Sequence, residues 1–415
     1  MAYSEEARKH YRGIIGQIKE QGLFKEERFI CSTQDADIIV EYPENAPRKE
    51  VINMCANNYL GLSSHPDVVA AAHTGLDSRG YGMSSVRFIC GTQDIHRELE
   101  AKISNFLGME KTILFSSCMD ANAAVFESLL DNQDAIVADK LIHASLIDGV
   151  RLCKAERHIY DHSDMPMLED KLKETAGKRF RMIVTDGVFS MDGDLAKLNE
   201  ICDLAEKYDA MVLVDDSHAT GFIGKTGRGT HEHFDVMGRV DIITTTLGKA
   251  LGGASGGCIS SSSEIVDMLR QRARTYLFSN SLPPVIVSAA NKVMDIISST
   301  TERRDKLEEL TTYFRKEMTA KGFDIVPGFH PIVPIMLYNA KLSQDIAKDL
   351  YYEGIYVIGF FYPVVPKGQS RIRVQVSAAH DMEHIKKAIA AFTKVGEKYK
   401  ILGKSKEEVI EMYGE

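Results

Sequence analysis

The sequence lacks both an excess of positive charge and long apolar runs. It has 50 Lys and Arg residues against 59 Asp and Glu residues, which gives a formal net charge of −9. A nucleic-acid-binding protein normally presents a basic face, so we expect no nucleic acid partner. No apolar run approaches the roughly 20 residues that a membrane-spanning helix needs, and we therefore expect no membrane partner.

Cysteine is also sparse and has no paired spacing. The seven cysteines among the 415 residues include no C-x-x-C pair. An odd number of scattered cysteines is typical of proteins in a reducing compartment and gives no sign of a zinc site. Residues 1–12 contain no apolar segment of the kind that a secretory signal carries. We therefore expect a cytoplasmic protein without a metal site.

Short apolar runs alternate with helical patterns between about residues 65 and 285. Each run is followed by small or acidic residues, and the runs are 112–115, 135–138, 182–185, 211–214, 240–243 and 257–260. Near-continuous apolar strands between amphipathic helices predict a mostly parallel sheet that is covered on both faces. The expected fold class is therefore α/β, with functional residues just beyond the carboxyl ends of the strands.

The segments on either side of this region have other patterns. Apolar residues at helical spacing over 11–18 predict an amphipathic helix that ends at Gln21-Gly22. After about residue 285, a strand-like run at 332–337 and helical patterns precede the alternating segment 371–376, and a last helix is expected at 382–399. The predicted organisation is an N-terminal helix and arm (1–55), a large domain (56–285) and a smaller α+β C-terminal domain (286–415).

One lysine stands among glycines and small residues directly after the run 240–243. The segment Thr244–Gly253 contains Lys249, and a lysine there has little room to extend its ammonium group to water. Burial should therefore lower its pKa, which suits an amine that acts as a nucleophile or forms a Schiff base. The segment taken alone leaves open a glycine-rich turn with a solvent-facing lysine.

Further chemistry-bearing residues follow the other predicted strands. Asp215 and His218 come after the run 211–214, and a polar segment with a predicted helix follows Phe115. The free N–H groups at a helix N-terminus suit a phosphate. An aspartate that faces a protonated pyridine nitrogen, a lysine that reaches an aldehyde and a phosphate-binding helix form the constellation for pyridoxal phosphate (PLP). The chemistry and spacing therefore predict PLP as the cofactor.

Other motifs do not fit their usual chemistry. Gly224-Lys-Thr has Ala219 where a phosphate loop needs glycine, and the glycines at 252–257 lack the dinucleotide-binding spacing. Ser190 has no esterase elbow around it. His231 and His233 have no third metal ligand in view, so we expect them on the surface.

The segments 215–221 and 246–249 together resemble fold-type I PLP-dependent enzymes of the α-oxoamine synthase group. The resemblance covers nearly the whole chain, including residues 22–28, 55–62, 85–93, 186–193 and 360–369. It implies the fold-type I transferase fold with a mostly parallel large-domain sheet. The stretches 85–93 and 360–369 point to the group member that condenses glycine with acetyl-CoA to 2-amino-3-oxobutyrate and CoA, a reversible acyltransferase of threonine catabolism.

The resemblance also implies roles at matching positions. Lys249 would hold the cofactor as a Schiff base and move the Cα proton, and Asp215 would pair with the pyridinium nitrogen. His218 and Ser190 would lie near the ring hydroxyl, and His143 would stack on the ring and contact the substrate. The residues expected at the phosphate are Cys118, Met119, Thr246, Ser279 and Asn280.

The resemblance also has implications for assembly and for substrate binding. Ser279 and Asn280 resemble a segment that reaches the phosphate of the neighbouring subunit, which implies a homodimer with shared active sites. Asn57 and Arg373 would hold the carboxylate of the amino acid. For Arg373 this agrees with the pattern, because a guanidinium fork on the polar face of a strand suits bidentate carboxylate binding.

Other functions remain as alternatives. The nearest is an α-oxoamine synthase with another acyl chain or amino acid, such as 8-amino-7-oxononanoate synthase, 5-aminolevulinate synthase or serine palmitoyltransferase. A lyase of the threonine aldolase type would share the fold and work without CoA. A regulatory or scaffolding protein is a third class, against which Lys249 argues because a binding module has no need of that lysine.

Overall fold

The computed structural model describes residues 3–20 and 23–414, and within them the chain forms three sheets flanked by helices. The strands are β1 (Phe29–Ile30), β2 (Asp37–Glu41), β3 (Lys49–Asn53), β4 (Lys111–Phe115), β5 (Ala135–Asp139), β6 (Glu156–Tyr160), β7 (Arg181–Asp186), β8 (Met211–Asp215), β9 (Ile242–Thr246), β10 (Gly257–Ser261), β11 (Ile332–Tyr338), β12 (Ile355–Tyr356), β13 (Gly359–Phe360) and β14 (Ser370–Gln375). The helices are α1 (Glu5–Glu20), α2 (Pro66–Arg79), α3 (Asp94–Leu107), α4 (Cys118–Leu129), α5 (Ala144–Leu152), α6 (Met165–Glu174), α7 (Leu198–Tyr208), α8 (Thr230–His233), α9 (Ser263–Arg272), α10 (Arg274–Leu277), α11 (Pro284–Ser299), α12 (Glu302–Ala320), α13 (Ala340–Tyr352), α14 (Met382–Lys398) and α15 (Lys406–Tyr413).

The large sheet has seven strands in the order β4-β10-β9-β8-β7-β5-β6. Strands β6, β5, β7, β8 and β9 pair in parallel, whereas β10 runs antiparallel to both β4 and β9. The predicted mostly parallel α/β sheet is therefore confirmed. All six apolar runs contribute strands, although the fifth strand lies at Ile242–Thr246 rather than 240–243, because β-branched threonines continue it. Strand β6 was not predicted, since its side chains are mostly exposed at the sheet edge.

Helices cover both faces of this sheet. Alternate residues of β8 enter different cores: Val212 and Val214 belong to one buried cluster and Leu213 to the other. This division is the arrangement that near-continuous apolar strands require. At the carboxyl ends, Asp186 of β7 is in register with Asp215 of β8, and the latter with Thr244 of β9. The sheet thus brings two carboxylates to one edge.

The N-terminal arm shares a sheet with the C-terminal region. Strands β1, β2 and β3 pair in sequence, and β12 adds to β3 in parallel. A three-stranded sheet, β11-β14-β13, lies in the C-terminal region. The division at residues 55 and 285 stays a prediction. The predicted N-terminal helix is present as α1, which buries none of its residues, and its expected end at Gln21-Gly22 lies outside the described residues.

One expectation about a polar residue is corrected by the structure. His231 is buried rather than on the surface, because its Nε2 hydrogen-bonds the carbonyl of Leu107 at 2.9 Å. That carbonyl belongs to the last turn of α3 and has no partner within the helix. Strand β14 alternates as predicted, yet its polar face, with Arg371, Arg373 and Gln375, is as buried as its apolar face.

No helix in the described ranges is long and apolar enough to cross a bilayer. Nor do residues 3–20 and 23–414 contain a group of three His, Cys, Asp or Glu side chains placed to hold a metal ion.

Candidate active site

A buried carboxylate lies at the carboxyl end of β8. Asp215 is 5% exposed, and its Oδ1 accepts a hydrogen bond from the Ser217 backbone N–H at 3.0 Å. Its Oδ2 accepts from Asn122 Nδ2 of α4 at 2.7 Å. No cationic side chain of the described chain forms an ion pair with it. A buried carboxylate without a cationic partner is costly, so this position fits a bound cation.

Lys249 follows β9 in the turn beside this carboxylate. Burial is the largest influence on its pKa and lowers it, while the negative charge of Asp215 acts in the opposite direction. Within the described residues its Nζ has no hydrogen-bond or ion-pair partner. The expectation that burial lowers the pKa of this lysine is borne out, and the amine is free to bond to a ligand.

His143 is the N-cap residue of α5, between β5 and that helix. Its Nδ1 accepts from the Ser145 backbone N–H at 3.2 Å, and its own backbone N–H donates to Asp186 Oδ1 at 3.0 Å. The side chain keeps an open face, but the protein atoms around the ring lower its pKa. The charges of Asp215 and Lys249 act on this pKa in opposite directions, so both groups lie close enough to influence the imidazole.

His218 occupies a closed position behind Asp215. Its Nδ1 lies 2.8 Å from the Tyr59 hydroxyl, and its carbonyl accepts from His330 Nε2 at 2.8 Å. Burial lowers the pKa of His218 well below its ordinary value, followed by the charge of Lys249. The imidazole is therefore neutral and held by an aromatic hydroxyl from a distant part of the chain.

The N-terminus of α4 presents free backbone donors beside β10. Ser117 caps the helix by accepting from the Asp120 N–H at 3.1 Å, whereas the N–H groups of Cys118 and Met119 have no acceptor in the described ranges. A Cβ on Gly257 would lie 2.4 Å from the Cys118 nitrogen, so only glycine permits this close approach.

Thr246 at the end of β9 lies next to this helix N-terminus. Its Oγ1 donates to the Gly256 carbonyl at 3.2 Å and accepts from the Gly248 N–H at 3.0 Å. Gly256 in turn pairs with Ser117 through an isolated β-bridge. The Thr246 hydroxyl therefore lies at the edge of a cradle of free N–H groups, which have the chemistry that a phosphate needs.

Arg373 brings a guanidinium to the same site from β14. Its Nη1 donates to the Ser190 carbonyl at 2.7 Å, and its Nε is buried without a hydrogen-bond partner in the described chain. The guanidinium lies 4.7 Å from the centroid of the Phe360 ring, and no acidic side chain among the described residues pairs with it. Burial lowers its pKa. Asn57 reaches this strand through its Oδ1, which accepts from Gln375 Nε2.

Ser279 and Asn280 lie apart from these contacts. They follow α10, Asn280 is exposed, and it forms an isolated bridge with Val86. No hydrogen bond joins either residue to the other predicted site residues in the described chain. Large exposed apolar side chains occur in these same two segments, including Phe88 (62% exposed) and Phe278 (75% exposed).

Known proteins place this site in a family. The family model for aminotransferases of class I and II matches residues 49–392. The chain belongs to this family. It is 58% identical to 2-amino-3-ketobutyrate coenzyme A ligase of Escherichia coli (strain K12) over 92% of this chain and 96% of the relative. The mitochondrial 2-amino-3-ketobutyrate coenzyme A ligase of Homo sapiens is 52% identical over 92% of this chain and 91% of that protein.

More distant members of the class I and II aminotransferases show the same fold. An 8-amino-7-oxononanoate synthase of Thermosipho melanesiensis is 45% identical over 94% of this chain and 97% of the relative. A high-resolution structure of SPT with PLP superposes with a TM-score of 0.90 at 27% identity, over 95% of this chain and 99% of that one. The predicted resemblance to the α-oxoamine synthase group and the predicted fold are therefore confirmed.

Several residues of this aminotransferase-family site were not predicted from the sequence. They are the hydrogen-bond partners that hold the predicted residues: Asn122, Ser145, Asp186, Tyr59 and His330. Asn122 follows Cys118 by four residues, so helical spacing alone places it one turn behind the phosphate cradle. Nothing in the local sequence marks His330, which lies 112 residues from its partner His218.

Proposed function

We propose that the protein is a PLP-dependent glycine C-acetyltransferase, which condenses glycine with acetyl-CoA to 2-amino-3-oxobutyrate and CoA. The reaction is reversible, and cleavage of 2-amino-3-oxobutyrate by CoA is its direction in threonine catabolism. The observation that carries the proposal is the 58% identity to 2-amino-3-ketobutyrate coenzyme A ligase over 92% of the chain. The site described above supplies groups suited to each part of that reaction.

The residues around Lys249 fit PLP. Lys249 would bond to the cofactor aldehyde, Asp215 would pair with the ring nitrogen, and His143 would cover the ring. His218 and Ser190 would lie towards the ring hydroxyl. The residues that would hold the phosphate are Cys118 and Met119 through their free N–H groups, Thr246 through its hydroxyl, and Ser279 and Asn280 of a partner subunit. When bound, PLP supplies an electron sink for the electron pair left at the Cα of glycine.

Arg373 supplies the binding group for the amino acid. A buried guanidinium without an acidic partner is an unfavourable arrangement until an anion arrives. The carboxylate of glycine provides that anion, and the planar fork can hold it by two parallel hydrogen bonds. The amide of Asn57, whose Oδ1 accepts a hydrogen bond from Gln375 of the same strand, would hold the carboxylate as well. Fixing this carboxylate orients the Cα–H bond relative to Lys249.

Lys249 is also suited to move the proton at Cα. Its lowered pKa increases the fraction of neutral amine, which can accept a proton at the operating pH. His143 reaches the same space from α5 and leaves its Nε2 without a protein partner in the described ranges. It is therefore available to an oxygen of the substrate.

We further propose a homodimer with shared active sites. Its support is the exposure of Asn280 next to large apolar side chains, including Phe88 and Phe278, which a monomer rarely leaves in contact with water. A cytoplasmic location is proposed from the seven cysteines, all of which are free thiols. Relatives named mitochondrial indicate that the compartment depends on the host cell.

Absorbance spectra of the purified protein test the function. We expect a visible band from the lysine-bound cofactor that changes with glycine, and CoA thiol release only after acetyl-CoA is added. Lys249→Ala should remove the lysine-bound band and turnover, while Lys225→Ala, an exposed lysine in a nearby turn, should behave as wild type. A protein that ignores glycine but responds to alanine or serine, or prefers a long acyl-CoA, would be one of the other synthases.

A further inference from the structure

A continuous chain of hydrogen bonds links the Asp215 carboxylate to the His143 imidazole. Asn122 Nδ2 donates to Asp215 Oδ2 at 2.7 Å and to Ser145 Oγ at 2.8 Å. Ser145 Oγ lies 2.7 Å from His143 Nδ1. The two connecting residues are almost completely buried, with Asn122 at 0% and Ser145 at 1% exposure. No solvent molecule is needed to complete the chain.

The chemistry of the four groups sets the direction of every bond. A carboxylate only accepts, so Asn122 must turn its amide nitrogen, not its oxygen, towards Asp215. The second hydrogen of that NH₂ group goes to Ser145 Oγ. The hydroxyl accepts from Asn122 and has its single proton available for His143 Nδ1, which must be an acceptor because it also receives a backbone N–H. The Ser145 backbone N–H donates to the same Nδ1 at 3.2 Å.

The imidazole at the end of the chain is thereby confined to one tautomer. Nδ1 accepts from two donors and cannot carry a proton itself. Burial around the ring lowers the pKa of the imidazole and so favours its neutral form, which has one proton. That proton must therefore be on Nε2, the nitrogen that has no partner in the part of the chain that the structure describes.

Asn122 has a feature that folding alone does not explain. Its own Oδ1 is buried and has no hydrogen-bond partner in the described chain. An unsatisfied buried acceptor reduces stability, whereas an apolar residue of similar shape would avoid that loss. The asparagine is consistent with a requirement for its two donors, which point to Asp215 and Ser145.

We propose that Asn122 and Ser145 are positioning residues that hold His143 in the tautomer with its proton on Nε2. The Nε2–H then faces the substrate space as a hydrogen-bond donor for the carbonyl oxygen of the acyl group. Because Asn122 also holds Asp215, one side chain sets the orientation of both groups. The assignment of the acyl oxygen rests on the proposed function, while the tautomer does not.

Nitrogen NMR of the full-length, PLP-loaded protein tests the tautomer directly. With ¹⁵N-labelled histidine, His143→Gln identifies the His143 resonances. We expect a wild-type spectrum with Nδ1 unprotonated and Nε2 protonated above the range in which the ring titrates. Ser145→Ala removes the hydroxyl donor and leaves only the backbone N–H at 3.2 Å, so the shifts should move from the wild-type pattern towards those of a mixture of both tautomers. Ser145→Thr, which keeps the hydroxyl, should restore the wild-type pattern. The matched control is Ser128→Ala, because Ser128 is a buried serine of α4 that takes no part in these hydrogen bonds.

Kinetics provide the second measurement. Ser145→Ala should lower kcat for CoA release by roughly tenfold to a hundredfold, the usual effect of removing a group that orients a functional histidine. The KM for glycine should stay unchanged, because Arg373 is untouched. Asn122→Ala should act in the same direction. Because it also disturbs Asp215, the test of the tautomer uses the serine variants.

Two results would overturn the proposal: a wild-type His143 with its proton on Nδ1, or a Ser145→Ala spectrum identical to wild type. Neither measurement of the tautomer uses acetyl-CoA. A protein that shows the expected tautomer but releases no CoA would contradict the proposed function and leave the positioning of His143 intact.

Discussion

The Nη1 of Arg373 lies 2.7 Å from the backbone carbonyl oxygen of Ser190. This bond joins β14 of the C-terminal region to the loop that follows β7. It uses one of the five donors of the guanidinium and leaves the buried Nε without a partner in the described chain. The site therefore holds a cation whose hydrogen-bonding capacity is still open to an anion.

Replacing Arg373 by lysine should weaken glycine binding while keeping the positive charge. The ammonium group cannot form the two parallel bonds of a guanidinium fork, and a hydrogen bond to a charged group contributes about 1.5–3 kcal/mol. We therefore expect the KM for glycine to rise roughly tenfold to a hundredfold, with the KM for acetyl-CoA nearly unchanged. Steady-state kinetics measure both constants, and Arg272→Lys, at an exposed position, is the control. Equal changes in both constants would contradict a carboxylate-binding role.

Gly257 tests the phosphate cradle. A Cβ at this position would lie 2.4 Å from the Cys118 nitrogen, so Gly257→Ala should push the first turn of α4 away from β10. We expect a loss of about 1–3 kcal/mol in the free energy of unfolding, as for other overpacked sites, and weaker PLP binding in fluorescence or absorbance titrations. Gly177→Ala has open space around its Cβ and should change neither quantity. Wild-type PLP affinity in Gly257→Ala would remove this cradle as the phosphate site.

The sequence predicts those site residues whose place follows from a single predicted strand. Asp215 directly follows one apolar run, and Lys249 lies in the short segment after the next run, so their position at the sheet edge could be inferred without knowing any other contact. The partners that orient them could not. Tyr59 reaches His218 across 159 residues of sequence, and only the folded chain brings the two together.

The errors have equally local causes. Strand β6 has charged and exposed residues because it forms an edge, so it lacks the apolar run on which strand prediction depends. His231 is a polar residue in a polar segment, which is typical of the surface. Its burial depends on a hydrogen bond to the carbonyl at the end of α3, and the sequence around His231 does not reveal that contact. The sequence also does not reveal the burial of the polar face of β14, which the loop after β7 covers.

His162 should make stability depend on pH in the alkaline range. It hydrogen-bonds Asp139 and Asp194 through its two ring nitrogens, and although burial acts to lower its pKa, these carboxylates raise it to about 10. A pKa that is raised in the folded state stabilises the protein fully below the unfolded value of about 6.5. That contribution is lost as the pH rises towards 10.

Thermal unfolding of the wild type and of His162→Gln measures this contribution. At pH 6 we expect a lower melting temperature for the variant, which corresponds to a loss of roughly 2–4 kcal/mol in the free energy of unfolding. The difference between the two melting temperatures should shrink as the pH approaches 10. His73→Gln, an exposed position on α2, should leave the wild-type profile unchanged. A pH-independent difference would mean that packing, not the charge of His162, stabilises the loop with Asp194.

Asp186 and Asp215 are opposite each other in register, yet their substitution by asparagine should have different effects. Burial, followed by the negative charge of Asp215, raises the pKa of Asp186 well above its ordinary value, so the neutral form of Asp186, which resembles asparagine in charge, is favoured. Its contact is the bond from the His143 N–H to Oδ1, which an amide oxygen can accept as well. Asp186→Asn should therefore keep kcat within a few-fold of wild type.

Asp215→Asn removes the charge proposed to face the ring nitrogen and should lower kcat by at least about a hundredfold, on the scale of other catalytic acid–base groups. Similar losses in the two variants would show that Asp186 is ionised, and the division of charge between the two carboxylates would have to be reversed or shared.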